Sequence, residues 1–343
     1  MNPENKKISQ EIWQSIQKAK RILLHCHANT DGDSVGSALA MAQALRSMGK
    51  EATIIAGDNA PMPGYLSFLP GFDTIVPKDF FQVNLADFDL FIVLDSAAPG
   101  QISRKATIAF PLSIPTIIID HHVSNTRFAG INLVDTSSPA TCQILHGLFV
   151  EWGIVIDHDI ALCLFIGIYT DTGGFKYAGT TEKTFQIGAD LVRLVPEFTK
   201  YIFQIENNKS EHWVRFMRLS FNNIQLWYGN GVAVTTISQE DMKKADITSE
   251  ELGESGGFAN TLKSVVGWNV GMTCTEEKPG EMKISFRTRD AERFDVSKIA
   301  VALGGGGHKA AAGASIKGTL PEVLAKIKKE IGNIYPELAS LAG

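Results

Sequence analysis

Cysteine is scarce in this chain. Cys26, Cys142, Cys163 and Cys274 are the only four in 343 residues, and no two lie close together. That spacing excludes a zinc ribbon or a disulfide framework and suits the reduced thiols of a cytoplasm. Long apolar runs are missing too. None reaches the roughly 18 residues needed to cross a bilayer, so no membrane association is expected. The first 20 residues contain no apolar h-region, so no secretory leader is expected and the protein is read as cytoplasmic. An excess of positive charge is also absent: 32 Lys+Arg stand against 37 Asp+Glu, a net charge of −5. This argues against a protein that coats long nucleic acid. No internal repeat or low-complexity tract is visible, which removes solenoids.

What is present is an ordinary globular composition, 44% hydrophobic and 20% charged, at a length that favours two domains. The first part alternates short apolar strands (21–26, 52–56, 90–95 and 116–120) with amphipathic or apolar helical segments at 8–20, 38–48, 139–152, 158–169 and 182–194. The proline-containing stretch 59–71 reads as a loop. Such alternation predicts an α/β fold: a parallel sheet with helices on both faces, over residues 1–195. Residues 196–220 read as a connecting helix. From 221 onward the pattern changes. Hairpin signals at 224–237 and 268–288, with helices at 256–266, 295–303 and 320–334, predict a smaller α+β domain over 221–343.

Polar residues gather where the predicted strands end. His27, Asp31 and Asp33 crowd one strand-to-helix turn. A helix N-cap accounts for one carboxylate there but not for all three groups. Asp95 closes one apolar strand, and Asp120-His121-His122 closes another. In parallel sheets these carboxyl ends of strands are where ligands bind. Asp171 stands at the end of a helix, where the dipole disfavours negative charge and a cation would compensate. Imidazoles and carboxylates without thiolates suit a hard divalent metal.

The second domain contains Gly304-Gly305-Gly306-Gly307-His308, which reads either as a hinge or as a backbone nest for an anion. It is not a Walker loop, because the Gly-Lys-Ser/Thr ending is missing. Ser285-Phe286-Arg287-Thr288-Arg289 places two arginines on one face of a strand. His25 shares a strand face with His27 and reads as a supporting or core residue. Cys26 reads as packing.

In this order, His27…Asp31-x-Asp33, Asp95, Asp120-His121-His122, Asp171-Thr-Gly-Gly-Phe and the Gly304–Gly313 stretch resemble the DHH phosphoesterase superfamily. The last motif is similar to that of the DHH-associated C-terminal domain. The likeness runs from about residue 8 to 335, and chain size together with the Ser-Phe-Arg-Thr-Arg strand is most similar to the nanoRNase/pAp phosphatase branch. Thr30 stands where relatives often have proline, and Gln143 where many have glutamate.

The resemblance implies two divalent cations, with Mn²⁺ the ion expected. One would be held by His27, Asp31 and a shared Asp95, the other by Asp33, Asp95, His121 and Asp171. It implies that Asp120 orients a ligating imidazole, and that His122 contacts the phosphate being cleaved. Asn29, Arg287, Arg289, Gly305, Gly306, Gly307 and His308 are the expected substrate contacts. The implied reaction is phosphoester hydrolysis of oligoribonucleotides 2–5 residues long, or of 3′-phosphoadenosine-5′-phosphate. A cyclic-dinucleotide or linear-dinucleotide phosphodiesterase remains open, as does a catalytically silent metal-dependent nucleotide-binding protein. The partner is a short RNA or nucleotide, not a long nucleic acid. A homodimer stays open.

Overall fold

The computed structural model describes residues 3–57, 62–103, 105–248 and 257–340, and the chain divides into two compact units, 1–208 and 209–343. Part of the expected loop at 59–71 and the first residue of the helix expected at 256–266 lie outside the described residues.

The first unit is built on five strands: β1 (Arg21–His25), β2 (Glu51–Ile55), β3 (Leu90–Leu94), β4 (Thr116–Asp120) and β5 (Ile131–Val134). They form one parallel sheet in the order β2-β1-β3-β4-β5. Every residue of β3 and β4 is buried, as the apolar runs Leu90–Leu94 and Ile117–Ile119 require of strands covered on both faces. After β1 the chain pairs first with β2 on one side and later with β3 on the other. The carboxyl ends of β1 and β3 therefore flank a topological switch point.

Helices α1 (Pro3–Lys18), α2 (Gly32–Ser47), α3 (Thr141–Glu151) and α4 (His158–Asp171) share one core with Ile22, Leu24, Ile92, Leu94, Ile117 and Ile119. On the opposite face, Leu23, Phe91, Val93 and Ile118 meet Phe80, Ile102 and Ile108. The helical cover there consists of short 3₁₀ turns at 80–82, 85–87 and 99–101. The segment after β3 carries Pro99, Pro111 and Pro115, which interrupt any long helix. Truncating a fully buried Ile92 or Ile118 to alanine would cost about 2–5 kcal/mol.

The region expected as one connecting helix, 196–220, is broken. After α5 (Glu182–Leu194) come α6 (Phe198–Asn207) in the first unit and α7 (Glu211–Asn222) in the second. Ser210 restarts the chain as an N-cap, its hydroxyl accepting from the Trp213 N–H.

The second unit holds a mixed sheet of β6 (Ile224–Trp227), β7 (Val232–Ile237), β8 (Val270–Lys278), β9 (Glu281–Thr288), β10 (Gly306–His308) and β11 (Ala311–Lys317), in the order β10-β11-β9-β8-β7-β6. Only the β7–β8 pairing is parallel. Helices α10 (Val296–Ala302) and α11 (Leu320–Ile334) cover one face through Met272, Phe286, Ile299 and Ile327. Helices α8 (Gln239–Ala245) and α9 (Gly257–Ser264) cover the other through Met242, Phe258 and Leu262. The glycine-rich stretch is neither a bare hinge nor a nest alone: Gly306–His308 is an edge strand paired to Ala311–Gly313.

Candidate metal centre

Six polar side chains meet at the carboxyl ends of β1, β3 and β4 and the adjoining helix ends. His27 is two residues past β1, and its N–H donates to the buried Ser34 hydroxyl at 2.9 Å. Asp31 caps α2 by accepting from Ser34 N at 2.9 Å, and its other oxygen lies 3.4 Å from His27 Nε2. The capping reading and the ligand reading thus use different oxygens of one carboxylate. Asp95 follows β3 with φ +53, a left-handed conformation costing about 1 kcal/mol or more for a residue with a Cβ. Such strain persists where surrounding structure demands a particular side-chain direction.

That direction is informative. Asp95 Oδ2 lies 3.3 Å from His27 Nε2, and Asp95 Oδ1 lies 3.4 Å from His121 Nε2. Each histidine has a second carboxylate: Asp31 for His27, and Asp171 Oδ2 at 3.3 Å for His121. Asp33, His121 and Asp171 offer ligand atoms that all lie within 4.8 Å of one another, as do His27, Asp31 and Asp95. Bonds of about 2.1 Å to one octahedral ion place neighbouring donor atoms roughly 3 Å apart, so these spacings fit two ion sites sharing Asp95.

Electrostatics point the same way. Burial opposes charge on His27 and His121, yet the flanking carboxylates raise both to about 10. Burial drives Asp171 up to about 6, and burial with Asp95 and Asp171 nearby pushes Asp33 well above the ordinary carboxylate range. Burial also opposes the Asp95 charge, but His121 and His27 hold its carboxyl far below the usual value. Positive charge is favoured among these carboxylates, as a bound cation would supply, because unpaired buried carboxylates are costly. Cys142 is buried beside Asp33 with its thiol pushed up, so no thiolate joins the donor set. Carboxylate and imidazole donors alone suit a hard divalent ion.

The surrounding contacts supply what sequence reading missed. Asp33 Oδ2 and Oδ1 accept the backbone N–H groups of Thr141 and Cys142 at 2.6 and 2.9 Å. Thr141 also donates its hydroxyl to Asp95 Oδ1 at 3.0 Å. A Cβ on Gly167 of α4 would run into the Cys142 sulfur and the Asp33 carboxylate, so only glycine lets the helices approach this closely. Asp120, expected to orient a ligating imidazole, instead accepts from His122 Nδ1 at 2.7 Å. Asn125 Nδ2 holds the other Asp120 oxygen at 2.6 Å and the Ser96 carbonyl at 3.1 Å. Asp120 raises the pKa of His122 against the effect of burial. His25 is fully buried against Phe91, 3.3 Å from the Ser96 hydroxyl, and burial lowers it to about 4. Cys26 packs in the core, as expected.

Asn29 is exposed at the tip of the turn between β1 and α2. The remaining expected contacts lie in the second unit. Arg287 and Gly304–Gly307 line an open depression of about 620 Å³ over β9, β10 and β11, together with Lys283, Ser285 and Ser315. The chain needs glycine at 305, where a Cβ would collide with the Gly313 carbonyl. His308 is exposed on β10. Arg289 lies on none of this lining. Its guanidinium donates to the Ser264 carbonyl at 3.0 Å, closing the otherwise open C-terminal end of α9. Strand alternation placed it on the Arg287 face, but β9 stops at Thr288 and the helix end captures it.

A profile of the DHH family, N-terminal domain, matches residues 21–168, and a DHHA1 domain profile matches residues 230–334. All the metal-site candidates except Asp171 fall inside the first match. The chain is 30% identical to the bifunctional oligoribonuclease and PAP phosphatase NrnA of Thermus thermophilus, over 92% of this chain and 89% of that protein. It is 26% identical to the protein of the same name from Bacillus subtilis, over 89% and 92%. The crystal structure of an exopolyphosphatase-related protein from Bacteroides fragilis superposes with a TM-score of 0.86 at 23% identity, covering 97% and 98% of the two chains, a likeness of fold.

Proposed function

The chain belongs to the DHH superfamily, in its NrnA-like branch, and from that premise we propose a two-metal, Mn²⁺-dependent phosphoesterase of short oligoribonucleotides and 3′-phosphoadenosine-5′-phosphate. The observation that carries the reading is Asp95: its two oxygens face two different histidines, each backed by its own carboxylate. One ion would be held by His27, Asp31 and Asp95, the other by Asp33, Asp95, His121 and Asp171. Bound there, the pair would supply Lewis acidity toward a phosphoryl group and acidify water.

The residues of the chain divide the remaining work. His122 is positioned by Asp120 at Nδ1, which makes that nitrogen the donor and, against burial, favours the protonated ring. Its Nε2–H then donates to a phosphoryl oxygen as negative charge builds there. Asn125 fixes Asp120, and through it the ring. Arg287 brings a fixed positive charge to the glycine-lined depression, and the backbone N–H groups around Gly305–Gly307, with His308, suit a phosphate or a terminal nucleotide. Asn29, at the exposed turn, is a further substrate contact. A net charge of −5 disfavours long polymers and leaves small substrates as the better match.

The test is a substrate panel of pAp, a diribonucleotide, a 24-nucleotide RNA and a cyclic dinucleotide, each with Mn²⁺, Mg²⁺ or chelator. Turnover of pAp and the diribonucleotide with Mn²⁺, lost in chelator, is the expected result. Turnover confined to the cyclic substrate, or undiminished by chelator, would overturn the assignment.

A further inference from the structure

Thr141 joins two carboxylates that stand 62 residues apart in the first unit's sequence. It is fully buried at the first position of α3, 108 residues from Asp33 and 46 from Asp95. The residue before it, Ala140, is the N-cap of α3 and has no side chain able to accept from the first-turn amides. Asp33, reaching across from α2, fills that role by accepting from Thr141 N and Cys142 N. The Thr141 hydroxyl then donates to Asp95 Oδ1, the same oxygen that faces His121. A carboxylate only accepts, so the hydroxyl proton must point at Asp95.

Resting on the metal-centre reading above, we propose that Thr141 is a positioning residue that sets the spacing of the dinuclear site, with its backbone N–H on Asp33 and its hydroxyl on Asp95. A threonine is well suited to this. Its branched Cβ restricts χ1, so the hydroxyl direction is held stiffly relative to the N–H of the same residue. The two bonds therefore act as a short rigid link between a carboxylate assigned to one ion and the carboxylate shared by both. Each oxygen keeps a lone pair for a metal, since one hydrogen bond occupies only one of two acceptor positions. A capping role alone requires only the N–H, which every non-proline residue supplies. The hydroxyl contact to Asp95 is what that simpler role leaves unexplained.

The experiment compares Thr141→Val, Thr141→Ala and Thr141→Ser in the full chain, stripped of metal and titrated with Mn²⁺ by calorimetry. Spin resonance on the loaded samples reports whether two ions are magnetically coupled. Valine keeps the shape and the N–H but loses the hydroxyl. Alanine does so without a methyl facing the Asp95 carboxylate, and so covers the case in which valine does not fold. Both are expected to weaken Mn²⁺ binding about 10–100-fold and to diminish the coupled signal, the size typical of a residue that supports a ligand. Serine is expected to restore both, and the melting temperatures of the hydroxyl-free variants in chelator to stay near the parent's. Parental Mn²⁺ affinity and coupling in both hydroxyl-free variants, or a serine variant as impaired as they are, would overturn the proposal. A parent chain that binds a coupled Mn²⁺ pair yet cleaves neither pAp nor a diribonucleotide would instead remove the functional reading and leave Thr141 in its role.

Discussion

The two units solve different problems with opposite materials. The first gathers carboxylates and imidazoles in a buried crevice, where Asp33, Asp95 and Asp120 are all but inaccessible. The second presents glycine, serine, lysine and arginine along an open depression. Buried like charges are tolerated only with compensation, so the first site is over-determined. Asp95 alone lies 3.3–3.8 Å from His27, His121 and His122 and accepts from a threonine, and its backbone is held at a positive φ. The open site pays little for its charges in water and is correspondingly loosely constrained. A buried site of this kind is suited to holding metal; a solvated one is suited to recognising a phosphate or nucleotide. Mutations should therefore fall into two kinetic classes.

Replacing Asp95 by alanine should produce the largest effect. On the proposed assignment both ion sites would lose their shared ligand, and kcat should fall by more than the roughly 100-fold typical of a merely supporting residue. Steady-state rates on pAp with metal analysis would check this, and retained turnover would erase the contrast between the units. Chelation comes next. Stripping metal should abolish turnover and lower the stability of the first unit by about 4 kcal/mol, relative to an ion supplied at a thousandfold excess over Kd.

The metal-free protein should also show a pH slope of defined sign. His27 and His121, raised from 6.5 to about 10, contribute stability that is fully present below pH 6.5. That contribution is lost as pH rises towards 10. Melting curves in chelator should therefore fall across this window, and saturating Mn²⁺ should flatten the fall because metal replaces the protons. A metal-free melt that rises with pH would contradict the charge assignment.

Asn125→Ala should reduce kcat about 10–100-fold while metal content stays, since it frees Asp120 and thus His122 without touching an assigned ligand. Arg287→Ala should act most mildly on chemistry, raising KM several-fold with kcat nearly unchanged, the signature of lost uniform binding. An Arg287 variant with impaired kcat and normal KM would show that the comparison between the two units is drawn in the wrong place.

The legibility of the molecule follows the range of the interactions involved. His27, Asp31, Asp33, Asp95 and the Asp120–His122 run were readable because each terminates or closely follows an apolar strand, and strand ends in parallel sheets converge. Helices α5 and α11 were readable to the residue because apolar periodicity and capping signals coincide there. The β10–β11 pairing was not, because glycine carries no strand preference and only its neighbour's hydrogen bonds make it a strand. The break between α6 and α7 was obscured because both flanking segments carry a helical pattern. Thr141 and Asn125 carried no local signal: threonine at the start of a helix and asparagine in a turn are ordinary, and their partners come from other elements.

By itself, then, the order of apolar strands and polar termini determined the parallel sheet, a second α+β domain and the residue types available for metal chemistry. These are set by burial periodicity, which is a property of neighbours along the chain. Only the tertiary structure decided which oxygen faces which nitrogen: that the two oxygens of Asp95 meet different histidines, that Asp120 accepts from His122, that Arg289 closes a helix end. Those choices depend on separations of a few ångströms between side chains and backbone groups, most of them dozens of residues apart in the chain. No periodicity in the sequence encodes such distances; packing alone sets them.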